Sequence, residues 1–112
     1  MMNLNFNRRL TLESVLRQPD GGGGFGEVWT ALGQLWGDIR ALSGREKPTR
    51  AGSVALVPYR IIVRAAPVDA VSRPVAGQRF VEGTRVFRVT AVSDYDPMGL
   101  YLECFCKEEL ST

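Results

Sequence analysis

The sequence predicts a mainly β fold of about five to six antiparallel strands, with a long loop or short helix in the middle. Three observations carry that prediction. In the segment Gly83–Lys107, Val86, Arg88, Thr90 and Val92 alternate with Phe87, Val89 and Ala91, and Leu100, Leu102, Cys104 and Cys106 alternate with Tyr101, Glu103 and Phe105. Period two puts each set on one face of a sheet. Tyr59-Arg-Ile-Ile-Val-Arg-Ala65 reads as a strand throughout, and Arg8–Arg17 places Leu10, Leu12 and Ser14 on one face of another.

Taken in order, the first strand is Arg8–Arg17. Gln18-Pro-Asp-Gly-Gly-Gly-Gly-Phe-Gly26 cannot hold regular structure and is expected to be an exposed loop. Glu27–Leu42 admits two readings. Val28, Leu32, Leu35, Trp36, Ile39 and Leu42 fit a helical stripe, while Trp29, Ala31, Leu35, Ile39 and Ala41 fit one face of a strand. Gly33 and Gly37 weaken the helix by roughly 1 kcal/mol each, and no strong N-cap precedes Val28. A straight strand of this length would run about 50 Å, so the strand reading needs a bend, which the same glycines permit. The residues alone leave the two readings even. Ser43–Pro58 is a long loop or a loop with one helical turn, and Pro48 suits such a turn. Pro67–Val75 is a turn-rich connection, and Gln78–Val81 is a short strand or edge. Ser93–Gly99 joins the last two strands, where Asp bonds its own backbone, Pro fixes φ and Gly accepts positive φ.

With 112 residues the chain has room for one domain, 1–112, with flexible ends at about 1–7 and 110–112. If compact, its radius of gyration would be about 13 Å. Apolar residues make up 45%, enough for a core, and no apolar run approaches the roughly 20 residues that span a bilayer. The start, Met1–Asn7, lacks the apolar region of a secretory signal, so synthesis and residence in a cytoplasm are expected. The net charge of +2 does not by itself suggest nucleic acid. Of 14 basic residues 12 are Arg, which suits multi-point contacts to carboxylate or phosphate, although Arg usage also follows GC-rich genomes.

Histidine is absent, which removes the commonest general base and the commonest metal ligand. Cys104 and Cys106 are the only cysteines; a disulfide between them would be strained and two thiolates make no zinc site, so they read as small buried hydrophobes. Neither catalytic residues, metal ligands nor a cofactor site is expected. A chain closing soon after its last strand points to a building block rather than an enzyme.

Gly21-Gly-Gly-Gly-Phe-Gly-Glu-Val28 matches the protein-kinase glycine loop residue for residue. No strand lysine, no Asp-Phe-Gly and no histidine for the catalytic loop accompany it, so a flexible hairpin tip open to a partner is the better reading. Trp29 and Trp36 could stack bases, but large aromatics in a small β protein more often serve core or interface. Arg45, Lys47 and Arg50 form a modest basic cluster that is either a solvated loop or a contact to phosphate backbone without base readout. Glu103, Glu108 and Glu109 read as surface charge.

The order of these pieces resembles the phage head–tail joining family, the small head-completion or stopper proteins of tailed phages and gene transfer agents. The likeness runs through the Arg9–Leu16 strand, the glycine loop, Trp29…Leu35-Trp36-Gly-Asp-Ile39 and Gly44-Arg-Glu46. It continues in Tyr59–Arg64, Gly83-Thr-Arg-Val-Phe-Arg-Val-Thr-Ala-Val92 and Leu100-Tyr-Leu-Glu-Cys104. It implies a small β-barrel or sandwich, which tips Glu27–Leu42 towards a bent strand. It further implies a homo-oligomeric ring of six or twelve copies in the neck of a virion or virion-like particle, assembled in the bacterial cytoplasm. The partners it implies are other copies, the portal or adaptor ring on the head side, and the tail tube or tail terminator on the other. Packaged double-stranded DNA would fill the channel, with no membrane involved. Arg45, Lys47 and Arg50 would then face that channel. Phe6, Gly22, Gly23, Phe25 and Leu110 would meet neighbouring subunits or partners. The rival expectation is a monomeric OB-like barrel that binds nucleic acid through Trp29, Trp36 and arginines.

Overall fold

Alternating apolar residues build one closed sheet in the computed structural model, which describes residues 3–42 and 57–109. β1 (Arg8–Pro19) and β2 (Phe25–Ala41) form a long antiparallel hairpin, paired from Arg8 opposite Gly37 to Pro19 opposite Phe25. β3 (Val57–Arg64) pairs with the end of β2, and β6 (Tyr101–Glu109) with β3. β5 (Arg85–Asp94) lies beside β6, and β4 (Arg79–Glu82) beside β5. β4 returns to β1 through Thr11–Val81, Leu12–Phe80 and Glu13–Arg79, which closes the barrel in the order β1-β2-β3-β6-β5-β4. Closure removes the unpaired edges that an open sheet would present. The described residues contain no helix.

Inward positions supply the core: Leu10 and Leu12, Ile61 and Val63, Phe80, Phe87 and Val89, and Leu102, Cys104 and Cys106. The Tyr59 ring meets Phe87 edge-on at 5.3 Å between centroids. Both cysteines are free and buried; burial pushes the Cys104 thiol up to about 12 and raises Cys106 as well. They are the small hydrophobes that the sequence suggested.

Two β-bulges re-phase the alternation. On β2 the ladder passes from Leu12–Gly33 to Glu13–Ala31, leaving Leu32 as the extra residue beside Gly33, whose φ is 153°. Leu32 thereby joins Leu35 and Ile39 against the core, so the single face expected for Trp29, Ala31, Leu35 and Ile39 is broken. On β5 the extra residue is Thr90, and Val92 rather than Ala91 packs inward.

Glu27–Leu42 takes the strand reading that the resemblance implied, within β2 and through its bulge. Other expectations change. The Gln18–Gly26 loop shrinks to residues 20–24, because Gln18 pairs with Gly26 and Pro19 with Phe25. Glu108 is not surface charge; it is 7% exposed and held by Arg85. The expected helical turn at Pro48 lies outside the described residues.

Beyond the barrel the hairpin continues as a two-stranded ribbon. β1 meets β4 only over Thr11–Glu13, and β2 meets β3 only from Gly37 onward. The ribbon explains a radius of gyration of 15.4 Å and extents of 52 × 37 × 22 Å, larger than the roughly 13 Å of a compact domain this size. Residues 3–7 run back over the outer face of the barrel. Asn5 N donates to Asp38 Oδ2 at 2.8 Å, Arg40 donates to the Asn3 carbonyl, and Phe6 stacks on Tyr101 at 5.4 Å. Ile62 faces outward between Asp38 and Glu103 in the ladder yet is fully buried, as a residue beneath this strap would be.

Candidate interaction surface

Asp20 shapes the ribbon's tip. Its Oδ1 accepts from Gly22 N at 2.8 Å and Gly24 N at 3.1 Å, while Asp20 N donates to the Gly24 carbonyl at 3.0 Å. Those amide bonds, Gly22 first, hold the Asp20 carboxyl below its usual range. Gly21 and Gly23 take φ of 84° and 88°, a region that favours glycine. The glycine run is therefore a closed turn at the end of a paired ladder.

The ribbon's two faces differ in character. On one, Trp29 lies under the Arg79 guanidinium at 4.0 Å, with Arg88 at 5.8 Å, and Arg79 Nε bonds Glu13 Oε1 at 2.7 Å. This Trp is half-buried and already covered, so it offers no free stacking platform. The other face carries Leu16 and Val28, both exposed, and leads down to a groove of about 400 Å³. Ser14 and Leu32 form the ribbon side of that groove, and Val68, Asp69, Val71 and Val75 form the other. At the tip Phe25 is exposed, with Arg17 stacked over its ring at 5.5 Å.

A smaller cleft of about 300 Å³, lined by Phe6, Trp36 and Arg64, opens on the outer face of the barrel. Trp36 is exposed there with Arg9 at 5.9 Å, and Arg64 lies 5.8 Å from the Phe6 ring. At the end of the barrel where β6 finishes, Arg8 pairs with Glu82, and Arg85 bonds Glu108 at 2.7 and 3.1 Å and reaches Tyr59 Oη at 3.3 Å. The side-chain bond from Arg85 holds Glu108 below the usual range, and that from Arg8 does the same for Glu82. At this end Leu42 N donates to the Pro58 carbonyl at 3.1 Å, which joins the two anchors of segment 43–56.

Of the residues singled out by sequence, Gly22, Gly23 and Phe25 come together at the tip. Phe6 lies instead against its own barrel, and Trp29 and Trp36 face different surroundings. Arg45, Lys47, Arg50 and Leu110 lie outside the described residues. Sequence reasoning missed Leu16, Val28 and the valines of the connection. The Leu10–Leu12–Ser14 alternation runs on to Leu16 past the point where a barrel strand would stop, and Val68, Val71 and Val75 are apolar residues in a turn-rich stretch.

A family model described as phage head completion protein matches residues 1–109. Among solved structures, a chain in the virion of a native gene transfer agent (GTA) particle is similar at 45% identity and a TM-score of 0.82, covering 100% of both chains. The solution structure of protein SF1141 from Shigella flexneri 2a shares the fold, with 22% identity and a TM-score of 0.68 over 100% of both chains. No curated protein matches the chain.

Proposed function

The chain belongs to the phage head completion protein family, and from that premise we propose that it closes the DNA-filled head below the portal or adaptor and carries the tail-attachment platform. It is a structural component of a phage or phage-like particle and not an enzyme. In this reading copies form a ring of six or twelve around the DNA channel, with the portal or adaptor on one side and the tail tube or terminator on the other. Whole-length agreement with a chain of the gene transfer agent virion carries the reading. The fold supports it physically. A closed barrel has no free sheet edges, so contacts with neighbours fall to what projects from it, the ribbon and the 66–78 connection. In this reading Arg45, Lys47 and Arg50 contact the DNA backbone weakly in each copy, and the ring sums the effect.

Light scattering tests the proposal, on the purified protein alone and after mixing with portal-bearing, DNA-filled heads. The expected result is a protein that joins the heads as a ring and stops DNA leaking from them. Protein that ignores the heads yet binds free oligonucleotides with a steep salt dependence would overturn it and favour an OB-like module.

A further inference from the structure

We infer that copies join head to tail, the ribbon tip of one seating in the groove of the next between β2 and the 66–78 connection. This rests on the ring reading above and names the surfaces that make the ring. At the tip Phe25 is 64% exposed beneath Arg17, on the ribbon face opposite Leu16 and Val28, and at the groove Val68, Val71 and Val75 are 74%, 65% and 49% exposed. The valines form a cluster, and apolar residues clustered in this way, unlike singly scattered ones, mark a contact surface.

The tip cannot fill its own groove. Pairing is unbroken to Pro19–Phe25, and the groove begins at Ser14 and Leu32, about five residues or 17 Å back along the ribbon. The occupant must be another molecule, and charge favours a second copy. Arg17 stands across the ladder from Glu27 but turns its guanidinium over Phe25, and it has no carboxylate partner among the described residues. Asp69 is exposed in the groove wall and likewise has no cationic partner among the described residues. Seating Phe25 against the valines brings these opposite charges to one rim. Symmetry agrees. A ring needs a heterologous contact between two different patches, whereas a tip-to-tip contact would stop at a dimer and leave the groove open.

Two measurements on the full chain, added to DNA-filled heads, test the inference. Arg17→Asp and Asp69→Arg, made singly, are each expected to weaken ring formation about tenfold in the concentration required, and together to restore it to within about threefold. A double variant as weak as the singles overturns the pairing. In the second, Gly22→Cys and Ser72→Cys are placed on one chain and treated with a short bis-maleimide. Both substitutions leave Phe25 and the groove valines intact, and the native thiols are buried. A ladder of linked copies up to the full ring is expected, and Gly22→Cys alone should give no linked dimers. Dimers from Gly22→Cys alone would reveal a twofold contact and overturn the inference. A ring that assembles without a 22–72 link overturns the inference while leaving the neck function standing. Absence of any ring on the heads removes both.

Discussion

A β-carbon on Gly37 would sit 2.8 Å from Leu10 Cδ1 and 3.3 Å from Ile61 Cγ2, both belonging to fully buried side chains with no room to retreat. The glycine is what lets β2 approach the core here, and Gly37→Val is expected to destabilise the fold by about 1–3 kcal/mol, read from the urea midpoint. Glu108 shows the opposite economy, a charge kept inside because Arg85 holds it with two bonds. Its folded pKa lies below the ordinary 4.5, as does that of Glu82, so both stabilise the fold fully above that value and lose the effect below it, as pH falls through their lower folded values. Asp38 follows the same sign: burial pushes it up, but the Arg40 and Asn5 bonds outweigh burial. Melting temperature should therefore be level from neutral pH down to about 5 and drop below about 4.5. Glu108→Gln should lower the plateau by about 1–2 kcal/mol, a modest figure because Arg85 is partly open to water, and should flatten the acid limb.

At the scale of elements, the strap of residues 3–7 adds a second layer to one side of the barrel. Phe6→Ala removes the stack on Tyr101 and the ring beneath Arg64. The expected loss is about 1–2 kcal/mol, less than for a core Phe because Phe6 is only half-buried. Amide exchange localises the effect: protection should fall in β3 and β6 and stay unchanged in the β1–β2 ribbon. Nothing in Met1–Asn7 signals the strap, since its stack on Tyr101 and its bond to Asp38 are contacts between distant parts of the chain. The strands were legible where alternation is clean, as in Tyr59–Ala65 and Leu102–Cys106. They were not where a bulge inserts one residue, because the extra Leu32 or Thr90 destroys the period on which such a reading depends. Helical and strand patterns over Glu27–Leu42 overlapped for the same reason: the bulge moves Leu32 onto the face of Leu35, which mimics helical spacing. Glycine content suggested looseness at 20–26, whereas a single carboxylate, Asp20, closes the turn.

For the whole molecule, closure could not be read from local pattern, because it depends on three pairs between β1 and β4 that join residues about seventy positions apart. The resemblance supplied that topology, and it also supplied the neck function; the residues by themselves left an OB-like module open. The architecture separates the surfaces by distance: the ribbon tip lies at the start of β2, and the anchors of segment 43–56 at its end, joined through Leu42 and Pro58. Subunit contact and DNA contact, as proposed, therefore fall at opposite ends of one strand, and a change at one end should leave the other working. Replacing Arg45, Lys47 and Arg50 together with Gln tests that division. Removing three cations from every copy takes away many weak phosphate contacts at once, so DNA loss from assembled particles should rise, and most at low salt, where such contacts are strongest. Incorporation of the protein into necks and attachment of tails should match the parent protein. Retention unchanged across the salt range would exclude the three residues from the channel, and failed incorporation would place them at a subunit contact instead.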